Sequence, residues 1–232
     1  MHHLLAPLYA LLALAGFFPA TNFRDIKAVE KTANLPVVDC NCSITQGGST
    51  YPISALLGNE SATAFYSYGS PLISSANTGL ELSNGLVLFL YQDLNTNLVS
   101  LFLIADVGNS GTGGSMEFET NCLPPTAYVS VQDDPGEFSG GPPSITGNWS
   151  WSSCCTDGGV IEDIGCSNTI NLDLLVASGL DSIVWLTGDI ANPTHILLSM
   201  SGEAITINCG GGVCCPIGFD TDIIVTDATC PD

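Results

Sequence analysis

The chain has 232 residues, of which 23 are acidic and only three basic, giving a formal charge of −20. Arg24, Lys27 and Lys31 are the only Lys or Arg residues, so from Thr32 to Asp232 there is neither. Such a body repels phosphates, which excludes nucleic acid as a partner, and its carboxylates must meet water, hydrogen-bond donors or a cation supplied from outside.

Leu4 to Phe18 is an apolar run of Leu, Ala and Phe. It has the length of a signal-peptide core and is short for a membrane span, so it reads as a secretion signal or, if retained, as an assembly element and the chain's one possible membrane contact. From Asn22 to Ala33 a short helix is expected, with Asn22 as N-cap, Asp25 in the first turn and Pro36 as its stop. Residues 1–35 therefore form a leading segment and residues 36–232 the folded domain.

After Pro36 the pattern is β throughout, in short runs divided by Gly, Asn, Pro and Asp. Leu86–Tyr91 and Leu98–Ala105 are almost continuously apolar around the turn-like Gln92–Asn97, which predicts a hairpin covered on both faces. Ala127, Val129 and Val131, then Ile170, Leu172 and Leu174, then Ile205, Ile207 and Cys209 alternate with polar neighbours, as strands with one wet face do. The Pro- and Gly-rich stretch 133–147 reads as a long loop between sheets, with a sub-boundary as the competing reading.

The ten cysteines, Cys40, Cys42, Cys122, Cys154, Cys155, Cys166, Cys209, Cys214, Cys215 and Cys230, include no Cys-x-x-Cys spacing. They read as disulfides made outside the cytosol; zinc would need His partners, and His195 is the only His in the body. Neighbouring side chains of a strand point to opposite faces. The adjacent pairs Cys154–Cys155 and Cys214–Cys215 are therefore expected to reach different partners rather than close on themselves.

Nucleophilic catalysis lacks its base, since His195 stands alone and no Gly-x-Ser-x-Gly elbow occurs. Glu117 and Glu119 share a face of one strand, as glycosidase acids can, but an ordinary half-exposed strand with Met116 and Phe118 inward has the same spacing. Loop-type oxygen clusters suit calcium: Asp106 with Asn109; Asp133, Asp134 and Glu137; Asp157 with Glu162 and Asp163; Asp220 with Asp222. Asn41, Asn59 and Asn148 lie in Asn-x-Ser glycosylation sequons. Trp149 and Trp151 share a strand face and are core or, alternatively, a sugar-stacking platform.

The expected fold is all-β: a disulfide-stapled antiparallel β-sandwich, jelly-roll or Ig-like, behind a short apolar N-terminal helix. The expected role is a secreted or cell-surface structural protein, an adhesion or filament-forming subunit without catalytic activity that associates with itself into a homopolymer. A secreted carbohydrate-binding module, or less favourably a β-sandwich glycosidase, is the alternative, with glycans as partners.

Overall fold

The computed structural model describes residues 40–69, 75–108 and 112–210. The apolar run, the expected N-terminal helix, Asn109, Cys214, Cys215, Asp220, Asp222 and Cys230 lie outside them. The described chain runs β1 (Cys42–Gln46), β2 (Ser49–Ile53), β3 (Leu56–Gly58), α1 (Ala62–Tyr66), β4 (Gly85–Asp93), β5 (Val99–Ala105), β6 (Gly114–Asn121) and β7 (Tyr128–Gln132). It continues through β8 (Phe138–Gly141), β9 (Ser144–Trp151), β10 (Asp157–Glu162), β11 (Thr169–Ser178), β12 (Ser182–Thr187), β13 (Thr194–Leu198) and β14 (Ile205–Asn208).

These strands build two sheets facing each other, an all-β sandwich. The first sheet has the order β2-β1-β14-β11-β6-β9-β8, and the second β13-β12-β4-β5-β10-β7. The expectation of a purely antiparallel fold is corrected in the second sheet, where β12 and β3 both pair with β4 in parallel. The reason is a chain return: β3 occupies the Tyr91–Asp93 end of one edge of β4 and β12 occupies the Gly85–Phe89 end of the same edge. Seven strands in each sheet also exceed the strand counts of an Ig domain or an eight-stranded jelly roll.

Strands β4 and β5 form the expected hairpin, with Leu86 opposite Ala105 and Gln92 opposite Val99. Every residue of both is buried. Leu86, Leu88 and Leu90 join the core between the sheets, while Val87, Phe89 and Tyr91 face the other way, under α1. Phe65 of α1 stacks on Tyr91 at 4.7 Å, and Phe89 stacks on Phe102 at the same distance. A second apolar layer thus explains the continuous apolar runs, which alternation alone would not require.

Between the sheets, Trp149 meets Phe118 edge-on at 4.8 Å. A side chain at Gly147 would run into the Phe118 ring, so this close approach requires glycine. The stretch 133–147 proves to be a short turn followed by strand β8 and the first half of β9. Residues Asp133–Glu137 carry the chain from β7 of the second sheet to β8 of the first, and β8 pairs back on β9 as a hairpin.

Disulfides Cys40–Cys166 and Cys42–Cys209 tie the start of the described chain to the segments beside β11 and β14. Cys122 is also bridged, and no described cysteine is free. Cys154 and Cys155 bond to each other, contrary to the expectation of separate partners. They lie in the turn between β9 and β10, not in a strand, so the alternation that would separate them does not apply.

Candidate functional site

At the β7–β8 crossing the fold gathers carboxyls that are far apart in sequence. Asp133 is 5% exposed and Asp157, the first residue of β10, is 3% exposed. The Asp133 N–H donates to the Gly158 carbonyl at 3.1 Å, which joins the turn to β10. Tyr66, the last residue of α1, donates its hydroxyl to Asp133 Oδ2 at 3.1 Å. Asp157 Oδ2 accepts the Ser150 N–H of β9 at 2.8 Å, linking the two sheets. Half-buried Glu137 accepts the Asp134 N–H at 2.7 Å and interacts electrostatically with Asp157. Asp133 Oδ1 and Asp157 Oδ1 are buried with no hydrogen-bond partner.

Burial pushes the Asp133 carboxyl up to about 7; the Tyr66 hydrogen bond opposes the rise, the charges of Glu137 and Asp134 add to it, and a Tyr68 hydrogen bond lowers it. Burial, then the charges of Glu137 and Asp133, push Asp157 up to about 8, against the lowering effect of the Ser150 N–H. Glu137 is also raised by burial, while the Asp134 N–H and the Asp157 side chain pull it down. Burial and the neighbouring negative charges thus favour the neutral form of the Asp157 carboxyl. Burial, followed by Asp133, raises Tyr66 as well, so its hydroxyl keeps its proton and donates. No described residue is Lys or Arg, and among the described residues no three His, Cys, Asp or Glu side chains are arranged to hold a metal ion. What the cluster can do chemically is bind and release protons near neutrality.

The other expected ligands do not join it. Asp157 and Glu162 are opposite ends of β10, about 16 Å apart at a strand's rise per residue, so grouping Asp157 with Glu162 and Asp163 is corrected: that run is a strand, not a loop. Asp106 is wholly buried and its Oδ1 accepts the N–H groups of Asn84 and Val107, each at 2.8 Å, which shapes a turn. Glu117 and Glu119 lie half-buried on the outer face of β6, with Met116 and Phe118 inward. His195 is exposed on β13. Trp149 and Trp151 are 0% and 6% exposed, so neither presents a face to a sugar. Asn41, Asn59 and Asn148 are all exposed. Tyr66, Tyr68 and Ser150 were not legible as site residues: nothing in their spacing marks them, and only the tertiary fold brings them to the acids.

Two surface features flank the sandwich. A groove of about 410 Å³ lies between edge strands β7 and β8, lined by Tyr128, Ser130, Gln132, Phe138 and Ser139. Elsewhere, Leu175 and Val176 of β11 in the first sheet and Met200 in the turn after β13, 53%, 55% and 45% exposed, border a hollow on one side of the Ser199–Glu203 turn; Leu197, 70% exposed on edge strand β13 of the second sheet, borders another that shares this turn.

Compared with family models, curated proteins and solved structures, the chain matches none. Among the described residues no helix is long and apolar enough to cross a membrane.

Proposed function

We propose that this is an extracellular structural subunit, without catalytic activity, that associates with copies of itself through edge strand β13 and the apolar surface beside it. The observation that carries this reading is the composition of that edge. Thr194-His195-Ile196-Leu197-Leu198 ends the second sheet with neither a carboxylate nor a Pro, in a chain of net charge −20. An uncharged edge offers unpaired N–H and C=O groups to another strand, and natural monomers usually block such edges with charge, Pro or a bulge. Two β13 strands from two copies can pair antiparallel about a twofold axis, each adding Leu197 to the contact. Met200, in the turn that follows β13, and Leu175 and Val176 of β11 across the hollow that this turn borders add further exposed apolar side chains. Disulfides suit an extracellular setting, and the absence of Lys and Arg from Thr32 onward removes the cleavage sites of trypsin-like proteases.

The test is sedimentation velocity and electron microscopy of the secreted protein across salt concentrations. Assembly is expected to strengthen with ionic strength, because salt screens the repulsion between acidic copies. Leu197→Glu is expected to abolish it while leaving the fold intact. A protein that stays monomeric at high concentration and high salt, or a Leu197→Glu variant that assembles as before, overturns the reading.

Carbohydrate binding is the second reading, and the groove between β7 and β8 favours it. Tyr128 and Phe138 offer aromatic surface there beside the polar side chains of Ser130, Gln132 and Ser139. Glycan binding lost in Tyr128→Ala but kept in Leu197→Glu would support it.

A further inference from the structure

The Cys154–Cys155 disulfide contributes almost nothing by the route that makes disulfides stabilising. A cross-link lowers the entropy of the unfolded chain in proportion to the logarithm of the loop it closes. Cys40–Cys166 and Cys42–Cys209 close loops with separations of 126 and 167 residues, whereas Cys154–Cys155 joins neighbours. Its surroundings differ too. Cys40, Cys42 and Cys209 are buried in the core between the sheets, but Cys154 is exposed and Cys155 half-exposed at the tip of the turn that leaves β9 for β10. Ser152 in that turn lies with its Oγ 3.0 Å from Cys154 Sγ and 3.9 Å from Cys155 Sγ. A disulfide sulfur carries no proton, so the hydroxyl is the donor. It is aimed at the sulfurs on which charge develops when the bond is cleaved.

We infer that Cys154–Cys155 is a redox-addressable site, reduced by a dithiol to a vicinal dithiol that binds thiophilic ligands such as trivalent arsenicals, while the sandwich stays folded. A thiolate of the dithiol reductant attacks Cys155 Sγ and forms a mixed disulfide. The Cys154–Cys155 bond breaks and Cys154, whose Sγ lies nearest the Ser152 hydroxyl, leaves as a thiolate, which takes up a proton. The second thiol of the reductant then displaces Cys155 and closes the oxidised reductant, so two electrons and two protons have passed to the protein. Charge selects the reductant, since the acidic surface repels anionic thiols and admits neutral dithiols. The flanks of the turn hold independently of the bridge. Thr156 Oγ1 accepts the Ala76 N–H at 2.7 Å, and Asp157 accepts that of Ser150, so opening the pair releases residues 152–155 and not the sheets.

The experiment treats the secreted protein, still folded, with a limited amount of dithiothreitol, then alkylates it, digests it with pepsin and maps the cysteines by mass spectrometry. Cys154 and Cys155 are expected to be alkylated while Cys40, Cys42, Cys166 and Cys209 remain bridged, with the near-ultraviolet circular dichroism kept. Phenylarsine oxide is expected to bind the reduced protein one to one and not the oxidised protein or Cys154→Ser. Ser152→Ala is expected to slow reduction roughly tenfold, the rate equivalent of one hydrogen bond to a developing charge. If the long-range bridges open first, if Cys154 and Cys155 react only on unfolding, or if the reduced pair takes no arsenical, the inference is overturned.

Discussion

Asp157 shows how a single carboxyl can connect two sheets and a titration. Its backbone opens β10, one oxygen accepts from β9, and burial raises its affinity for protons to about 8. Asp133, at about 7, behaves similarly beside Tyr66. In the unfolded chain both fall back to the ordinary carboxyl value near 4. The folded state therefore holds more protons than the unfolded state between about pH 4 and 8. Stability from these groups is fully present below that window and is lost as pH rises through it. The melting temperature is accordingly expected to fall between pH 5 and 9, read by differential scanning calorimetry. Asp157→Asn, which keeps an oxygen for the Ser150 N–H but removes the titration, is expected to flatten the decline; an unchanged slope would show that these carboxyls do not govern it. The same variant is expected to leave dithiol reduction of Cys154–Cys155 intact.

Among the elements, the hairpin β4–β5 organises the molecule because it is sandwiched on both faces. Phe102 is wholly buried and meets Phe65, Tyr66, Phe89 and Tyr91 in the layer under α1. Truncating a ring in such a site leaves a cavity that β-sheets cannot collapse into, so Phe102→Ala is expected to cost about 3–5 kcal/mol in denaturant unfolding. Trp149 anchors the other core between the sheets, and its truncation is expected to cost a similar amount. By contrast, β13 is packed on its inner side through Leu198 and presents Leu197 outward. A substitution at Leu197 is expected to change assembly with little effect on unfolding, which separates the proposed interface from the core.

For the whole molecule, the long-range bridges matter more than their number suggests. Cys42, at the start of β1, and Cys209, just past β14, lie at the ends of two strands that are neighbours in the first sheet. Replacing both by Ser is expected to cost about 2–5 kcal/mol. That loss is measurable by calorimetry at a single pH, and a negligible change would show that the sheet pairing holds β1 unaided. The net charge of −20 acts over the same scale: it keeps copies apart at low ionic strength, so any homopolymer must overcome it through contacts made in salt.

The sequence by itself determined the β class, the bridged state of the described cysteines, and the strands whose apolar period is local: the continuous hairpin β4–β5, the alternating β7, β11 and β14, and the core placement of Trp149 and Trp151. Those features follow from side-chain period and composition, which neighbours along the chain carry. The tertiary structure decided the rest. The parallel pairings of β4 with β3 and β12 join segments up to a hundred residues apart, and no local period encodes which edge a returning strand takes. The stretch 133–147 became a sheet crossing and a hairpin, with Gly147 packed against the Phe118 ring of β6, a contact that no local period announces. The acid cluster formed only when β10 set Asp157 beside Asp133 and Glu137, splitting the run 157–163 that had read as one loop. Cys154 closed on Cys155 because the chain turns between sheets there, and strand alternation holds only inside strands.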